Sequence, residues 1–292
     1  MSEERRPRPH EALFWRRLAH WGASKGPEWW VHYSPPVFGW AAAALVPSAR
    51  RAVVRNLRRI RGPVSVTKDA REVLKTFSNY ASCLAEVLSN DAEGGPRQPA
   101  TRINREKHVH DARARGRGII MVTAHTGGWE TVGPALSRDQ GLPIMIVMRP
   151  EADGRAQTLQ DDARRRAGVV IVHAGEDPLA SLPLLRHLRA GGVVALQLDR
   201  VAPGMRTREV DLLGERTLIP EGPLKLAQVS GAPLLPVFCA REAYRSYVIE
   251  LYESRVVPRH ATDAELGAVA QHLANSLGEY LREHPTQWFH FG

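Results

Sequence analysis

The sequence predicts an α/β protein: a mainly parallel sheet with helices on both faces, preceded by an N-terminal helical, membrane-associating region. Three observations predict it. Short β-branched runs alternate with helical periods from about Thr101 onward. One of these runs, Ile119 to Thr123, leads straight into a Gly-rich turn, His125-Thr126-Gly127-Gly128-Trp129-Glu130. An aromatic, Pro-broken apolar stretch and an arginine-rich amphipathic segment both precede residue 62.

Residues 1–99 form the helical region and residues 100–292 the α/β core. The first ten residues are polar and Pro-containing, with no apolar core that would make them a secretory signal. The catalytic part is therefore expected at the cytoplasmic face of the inner (plasma) membrane, held peripherally. Leu13, Phe14, Leu18 and Trp21 recur at helical spacing. Residues 29–46 are the most apolar stretch, but Pro35-Pro36 breaks them, and a spanning helix needs ~20 mostly apolar residues. Trp and Tyr at its ends favour the lipid headgroup level, so it reads as an interfacial anchor, the other reading being packing on the protein's own core. Next, Arg50, Arg51, Arg55, Arg58, Arg59 and Arg61 alternate with Val53, Val54, Leu57 and Ile60. Such a basic helix suits an anionic membrane surface; a merely solvated charged face is the alternative. Nucleic acid is not an expected partner, because no recognised motif or aromatic platform accompanies it. A second helix puts Val73, Leu74, Phe77, Tyr80, Leu84 and Leu88 on one face, and Asp91 to Pro99 is a hinge.

In the core, strands are expected over Ile119–Thr123, Pro143–Met148, Val169–Val172, Gly192–Leu198, Pro233–Cys239 and Tyr247–Leu251. Helices are expected over Trp129–Ser137, Ala156–Ala167, Pro178–Arg189, Pro223–Ser230 and Glu265–Arg282.

Composition narrows the function. Net charge is +9, which points to a polyanionic partner, and two cysteines, Cys83 and Cys239, suit a reducing compartment rather than a disulfide scaffold. His108 and His110 form an H-x-H pair without a third ligand at metal spacing, so no metal is expected. A dinucleotide enzyme fails for lack of G-x-G-x-x-G after the first strand.

His125, delivered by a strand to a sheet edge, is placed to act as a general base. Gly127 and Gly128 would let a substrate approach the backbone and offer amides to an oxyanion. The acidic companion is either Glu130, five positions on, or Asp199, which leaves another strand at the same edge. Arg149, at a strand end, is suited to phosphate.

His125-Thr126-Gly127-Gly128-Trp129-Glu130 resembles the H-x4-D/E motif of the glycerolipid acyltransferase superfamily. Its surroundings resemble the branch containing the lipid A late acyltransferases and the mycobacterial phosphatidylinositol-mannoside acyltransferases. The resemblance runs from about residue 50 to the end. It takes in Arg55-Asn56-Leu57-Arg58, a second helix ending near Glu86, Leu198-Asp199-Arg200, Val210 to Gly214, Thr217, Gly222-Pro223, Ala227 to Pro236 and a Pro285-Thr286-Gln287-Trp288 tail. It implies a role for both Glu130 and Asp199, and it puts Arg164 at the site, where a helix-terminal charge is the other reading. The implied activity is O-acyl transfer: a fatty acyl group moves from an acyl-carrier-protein or CoA thioester to a hydroxyl or amine of a lipid-like acceptor, with no further cofactor. Two departures bear on the acceptor. Asp199-Arg200-Val201 stands where lipid A enzymes read D-Q-D, and the tail lacks their W-x-H-R-R-type ending. These lean the expected acceptor toward another glycolipid, an aminolipid or a polyketide- or pigment-like product. The alternative of another class is a non-catalytic basic protein that binds membrane or nucleic acid.

Overall fold

The computed structural model describes residue 22 and residues 26–89, 99–148, 169–173 and 181–292. The expected helices over Leu13–Trp21 and Ala156–Ala167, and residues 91–98 of the expected hinge, lie outside them.

The apolar stretch before residue 47 folds as two short helices, α1 (Glu28–Tyr33) and α2 (Pro35–Leu45), because Pro35 can only begin a helix. One face of this stretch packs on the protein's own core and the other is exposed. Val31 and Ala43 are buried, and Gly39 lies so close to the Phe77 backbone that a Cβ would sit 2.6 Å from its carbonyl oxygen. Trp29, Tyr33 and Phe38 instead present about 60% of their surface to solvent. Among the described residues, no helix is long and apolar enough to cross a membrane.

The basic helix α3 (Pro47–Arg61) starts at proline and ends at Gly62 in positive φ; α4 (Val66–Leu88) is capped by the Ser65 hydroxyl, which accepts from the Lys68 amide. Asp69, nearly sealed from solvent, ties the two together through Arg58 and Arg61, each at 2.7 Å.

The core elements follow: β1 (Ala100–Asn104), α5 (Lys107–Arg113), β2 (Ile119–Thr123), α6 (Trp129–Gln140), β3 (Ile144–Met148), β4 (Val169–His173), α7 (Leu182–Arg189), β5 (Val193–Gln197), β6 (Thr207–Leu212), β7 (Glu215–Pro220), α8 (Gly222–Ser230), β8 (Leu234–Ala243), β9 (Ser246–Leu251) and α9 (Asp263–Glu283). α9 opens on a full capping box between Thr262 and Glu265.

Seven strands form one sheet in the order β1-β9-β8-β2-β5-β3-β4. Every pair is parallel except β8 with β9. Alternate residues of each strand face opposite layers. Ile120, Val122 and Val194 pack under α7, α8 and α9, whereas Ile119, Met121 and Val193 pack under α5 and α6. β2 is buried along its whole length, as a central parallel strand requires.

Three elements depart from expectation. β9 turns back antiparallel on β8, since only Tyr244 and Arg245, the latter at φ 51°, separate them. β1 pairs at the sheet edge with half-exposed, polar residues that carry no apolar run. β6 and β7 form a hairpin outside the main sheet, turned by Leu213 and Gly214 at φ 59° and 81°. The period-2 alternation around that glycine was the available signal.

Candidate active site

Parallel register brings the site together. β2 and β5 are neighbours with Thr123 opposite Gln197, and two residues beyond those ends stand His125 and Asp199. This is the crevice outside the carboxyl ends of adjacent strands where open α/β sheets hold ligands.

His125 Nδ1 lies 2.9 Å from Asp199 Oδ1, and the His125 backbone amide donates to both carboxylate oxygens at 3.2 Å. Trp288 Nε1 donates to Asp199 Oδ2 at 3.0 Å. Burial works against the Asp199 charge. The neighbouring imidazole, the hydrogen bonds from His125 and Trp288, and Arg200 outweigh it and hold the carboxyl down to about 2. An ionised acceptor at Nδ1 fixes the tautomer that carries its proton there, leaving the Nε2 lone pair free. Nε2 has no hydrogen-bond partner among the described residues. The side chain is 14% exposed, and the Trp129 ring packs edge-on against it at 5.5 Å. Nearby, Thr123 Oγ1, Gln197 Nε2 and His290 Nδ1 are buried without a hydrogen bond among the described residues, a concentration of unsatisfied polar atoms typical of functional sites.

The acidic companion at Nδ1 is thus Asp199. Glu130 sits half-buried in the first turn of α6, where a negative charge favours the helix dipole.

The expected part of Gly127 and Gly128 needs correction. The Gly127 amide donates to the Gln287 carbonyl at 3.0 Å, so it is not available to an oxyanion. A Cβ on Gly127 would collide with Gln287 Oε1, and one on Gly128 would collide with the Tyr247 ring. The paired glycines are there because protein, not substrate, closes on the loop. Gly128→Ala, at φ 70° and against that ring, should cost at least ~2 kcal/mol of stability; an unchanged melting temperature would contradict this. Arg149 and Arg164 lie outside the described residues.

Sequence reasoning missed the tail as part of the site's wall. The Phe289 amide donates to the His125 carbonyl at 2.7 Å, Arg200 donates to the Phe289 carbonyl, and Asn56 of α3 donates to the His290 carbonyl. Gln287 exchanges side-chain hydrogen bonds with both the amide and the carbonyl of Arg241. Glu86 of α4 accepts from Arg241, Tyr247 and the Arg245 amide, so it braces the strand behind Gly128. Pro285-Thr286-Gln287-Trp288 was legible as a motif, but only its position shows that Trp288 grips Asp199. Trp288→Phe keeps an aromatic ring but deletes the donor and leaves a void at a buried position. It should cost ~1–3 kcal/mol and lower activity with it; a variant equal to wild type in both would remove Trp288 from the site.

Both cysteines are free and buried. Burial, aided by Glu86, pushes the Cys83 thiol up to about 12, and burial raises Cys239 well above its ordinary value, so neither is poised as a nucleophile. Glu250, Glu283 and His284 stand close together, but Arg105 already lies 3.5 and 3.6 Å from the two carboxylates.

The family described as bacterial lipid A biosynthesis acyltransferase matches residues 4–292. Relatives include the phosphatidylinositol mannoside acyltransferase of Mycobacterium tuberculosis, 31% identical over 183 residues, 62% of this chain and 55% of that protein. The protein of that name from Mycolicibacterium smegmatis is 28% identical over 243 residues, 80% of this chain and 75% of that one. The lipid A biosynthesis acyltransferase of Haemophilus influenzae is 26% identical over 132 residues, 45% and 40% of the two chains. The match to the Mycobacterium tuberculosis protein thus spans about half of its length. The crystal structure of the 1-acyl-sn-glycerophosphate acyltransferase PlsC from Thermotoga maritima aligns over 85% of this chain and 95% of its own, with 11% identity and a TM-score of 0.40.

Proposed function

Because the chain belongs to the bacterial lipid A biosynthesis acyltransferase family, we propose that it transfers a fatty acyl group from an acyl-carrier-protein or CoA thioester to a hydroxyl of a lipid-like acceptor at an anionic membrane surface. The carrying observation is the 2.9 Å contact between His125 Nδ1 and an Asp199 carboxylate kept ionised chiefly by that imidazole and then by the Trp288 hydrogen bond. His125 Nε2 removes the acceptor proton as the oxygen attacks the thioester carbonyl. The C–O bond forms, the C–S bond breaks, and the departing thiolate takes the proton from the imidazolium. Asp199 orients the ring throughout and balances its transient charge.

Arg149 and Arg164 are assigned to the phosphates of donor or acceptor, and Glu130, in the first turn of α6, keeps a supporting role beside His125. The region before residue 100 holds the enzyme peripherally, at the cytoplasmic face. Its exposed Trp29, Tyr33, Phe38 and Trp40 supply an aromatic face of the kind that settles at headgroups.

The test supplies the purified protein, on phosphatidylglycerol vesicles, with labelled palmitoyl-CoA or palmitoyl-carrier protein and separately with a phosphatidylinositol mannoside, a lipid A precursor, an aminolipid and a polyketide alcohol. A His125-dependent labelled ester is the expected product. No product from any pair, with duplex DNA displacing the protein from the vesicles, would favour the non-catalytic basic protein instead.

A further inference from the structure

Helix α3 has two working faces. One turns inward: Asn56 holds the tail at His290, and Arg59, its side chain only 9% exposed, is spent on the Leu212 and Glu215 carbonyls and the Thr217 hydroxyl. The other carries Arg51, Arg55 and Arg58 into a polar trench of about 420 Å³ whose far wall is Glu215. Arg58 is committed to Asp69. Arg51 and Arg55 have no ion-pair or hydrogen-bond partner among the described residues.

Toward the start of α3 the trench opens into a groove of about 480 Å³ between α2, α3 and α4. Trp40, Ala44, Val54, Val66, Ala70 and Leu74 line it, and Arg51, Val54 and Arg58 belong to both depressions. Each is the size of a small-ligand site, ~300–1,000 Å³.

A mainly apolar furrow that ends at two guanidiniums without a partner among the described residues, with the Glu215 carboxylate of the trench already beside Arg59, fits a ligand with a hydrocarbon chain joined to an anion. A soluble anion would leave the furrow empty, and a neutral chain would leave the arginines unanswered. The neighbouring exposed Trp30, Tyr33 and Phe38 put the mouth of the furrow where lipids are at hand. A smaller cavity of about 110 Å³ lies behind Asp199, and both Arg55 and Arg59 line it as well as the trench. His125 lines neither the groove, the trench nor that cavity.

We propose that this depression binds one anionic phospholipid beside the reaction, its phosphate on Arg51 and Arg55 and one acyl chain along the groove between α2 and α4. The bound lipid is a fixed component, not the acceptor. It fastens the helix whose inner face holds the catalytic tail, and so couples membrane engagement to the order of the site.

The test is native mass spectrometry of the full chain released from detergent-free nanodiscs of mixed phosphatidylglycerol and phosphatidylcholine. One phosphatidylglycerol per chain is expected. Ala70→Trp, which fills the groove at an exposed position, and the double variant Arg51→Gln with Arg55→Gln should each lower occupancy at least tenfold, with the melting temperature in detergent unchanged. His125→Ala should keep its lipid, so binding and acyl transfer fail separately. Equal retention of phosphatidylcholine, full occupancy in Ala70→Trp, complete displacement by inorganic phosphate, or no retained lipid would each overturn the proposal. A variant whose melting temperature falls is replaced by Ala44→Trp, which fills the same groove from α2 and faces the same criterion.

Discussion

Replacing His125 by alanine should lower acyl transfer by roughly 10²–10⁴-fold, the range for loss of a positioned general base. Acceptor binding should be nearly unchanged, because the ring touches Trp129 and Asp199 and carries none of the sheet's packing. Stability should fall for a different reason: with the imidazole gone, the buried Asp199 keeps, among the described residues, only the backbone amide of position 125 and Trp288 as donors. The measurement is single-turnover transfer on vesicles together with a thermal melt. A variant that still transfers at a wild-type rate would remove the imidazole from the mechanism. A variant that fails to fold would be replaced by His125→Gln, which can restore a donor toward Asp199 without supplying a base.

Asp199→Asn should be comparably severe, also roughly 10²–10⁴-fold. An amide nitrogen facing Nδ1 would favour the tautomer whose proton sits on Nε2, where the base must be bare. Glu130→Gln leaves the Nδ1 contact in place, so its loss should be clearly smaller. The reverse order would hand the orienting role to Glu130. The pH dependence separates structure from chemistry. The Asp199 carboxyl titrates at about 2 when folded, below its ordinary 3.8, so its stabilising contribution is complete above pH ~4 and is lost as pH falls toward 2. At neutral pH the shift corresponds to on the order of 2 kcal/mol. The stability gap between wild type and Asp199→Asn should therefore narrow on acidification through that window. A gap unchanged between about pH 4 and pH 2 would contradict it.

The strengths of the tail contacts also explain why α3 and α4 cannot be regarded as a detachable anchor. Asn56, Arg59 and Glu86 each reach into the core and bond to backbone or side chains around the candidate site. The same helix that carries Arg51 and Arg55 therefore also supports, through the tail, the loop that presents His125.

The chain by itself determined the features that depend on local pattern. The buried run Ile119–Thr123 could only be an interior strand, and the residues after it could only form a turn at that strand's carboxyl end. The arginine alternation in 50–61 made an amphipathic helix wherever the chain went next, and the H-x4-E spacing with its later companions was enough to suggest the family. Features that depend on how distant segments meet were decided by the tertiary structure. Glu130 and Asp199 were both candidates along the chain. Asp199, 74 residues away, reaches the imidazole because β2 and β5 are parallel neighbours in a register that ends both strands at one level. The glycines looked open because a sequence does not show what lies over a backbone; Gln287 and Tyr247 come from the tail and from β9 and fill that space. Periodicity reports which face of an element is apolar, whereas the partner that covers the face is set by strand order and packing. Trp288 could thus be read as a motif, while its hydrogen bond to Asp199 became visible only once the tail was folded against the sheet.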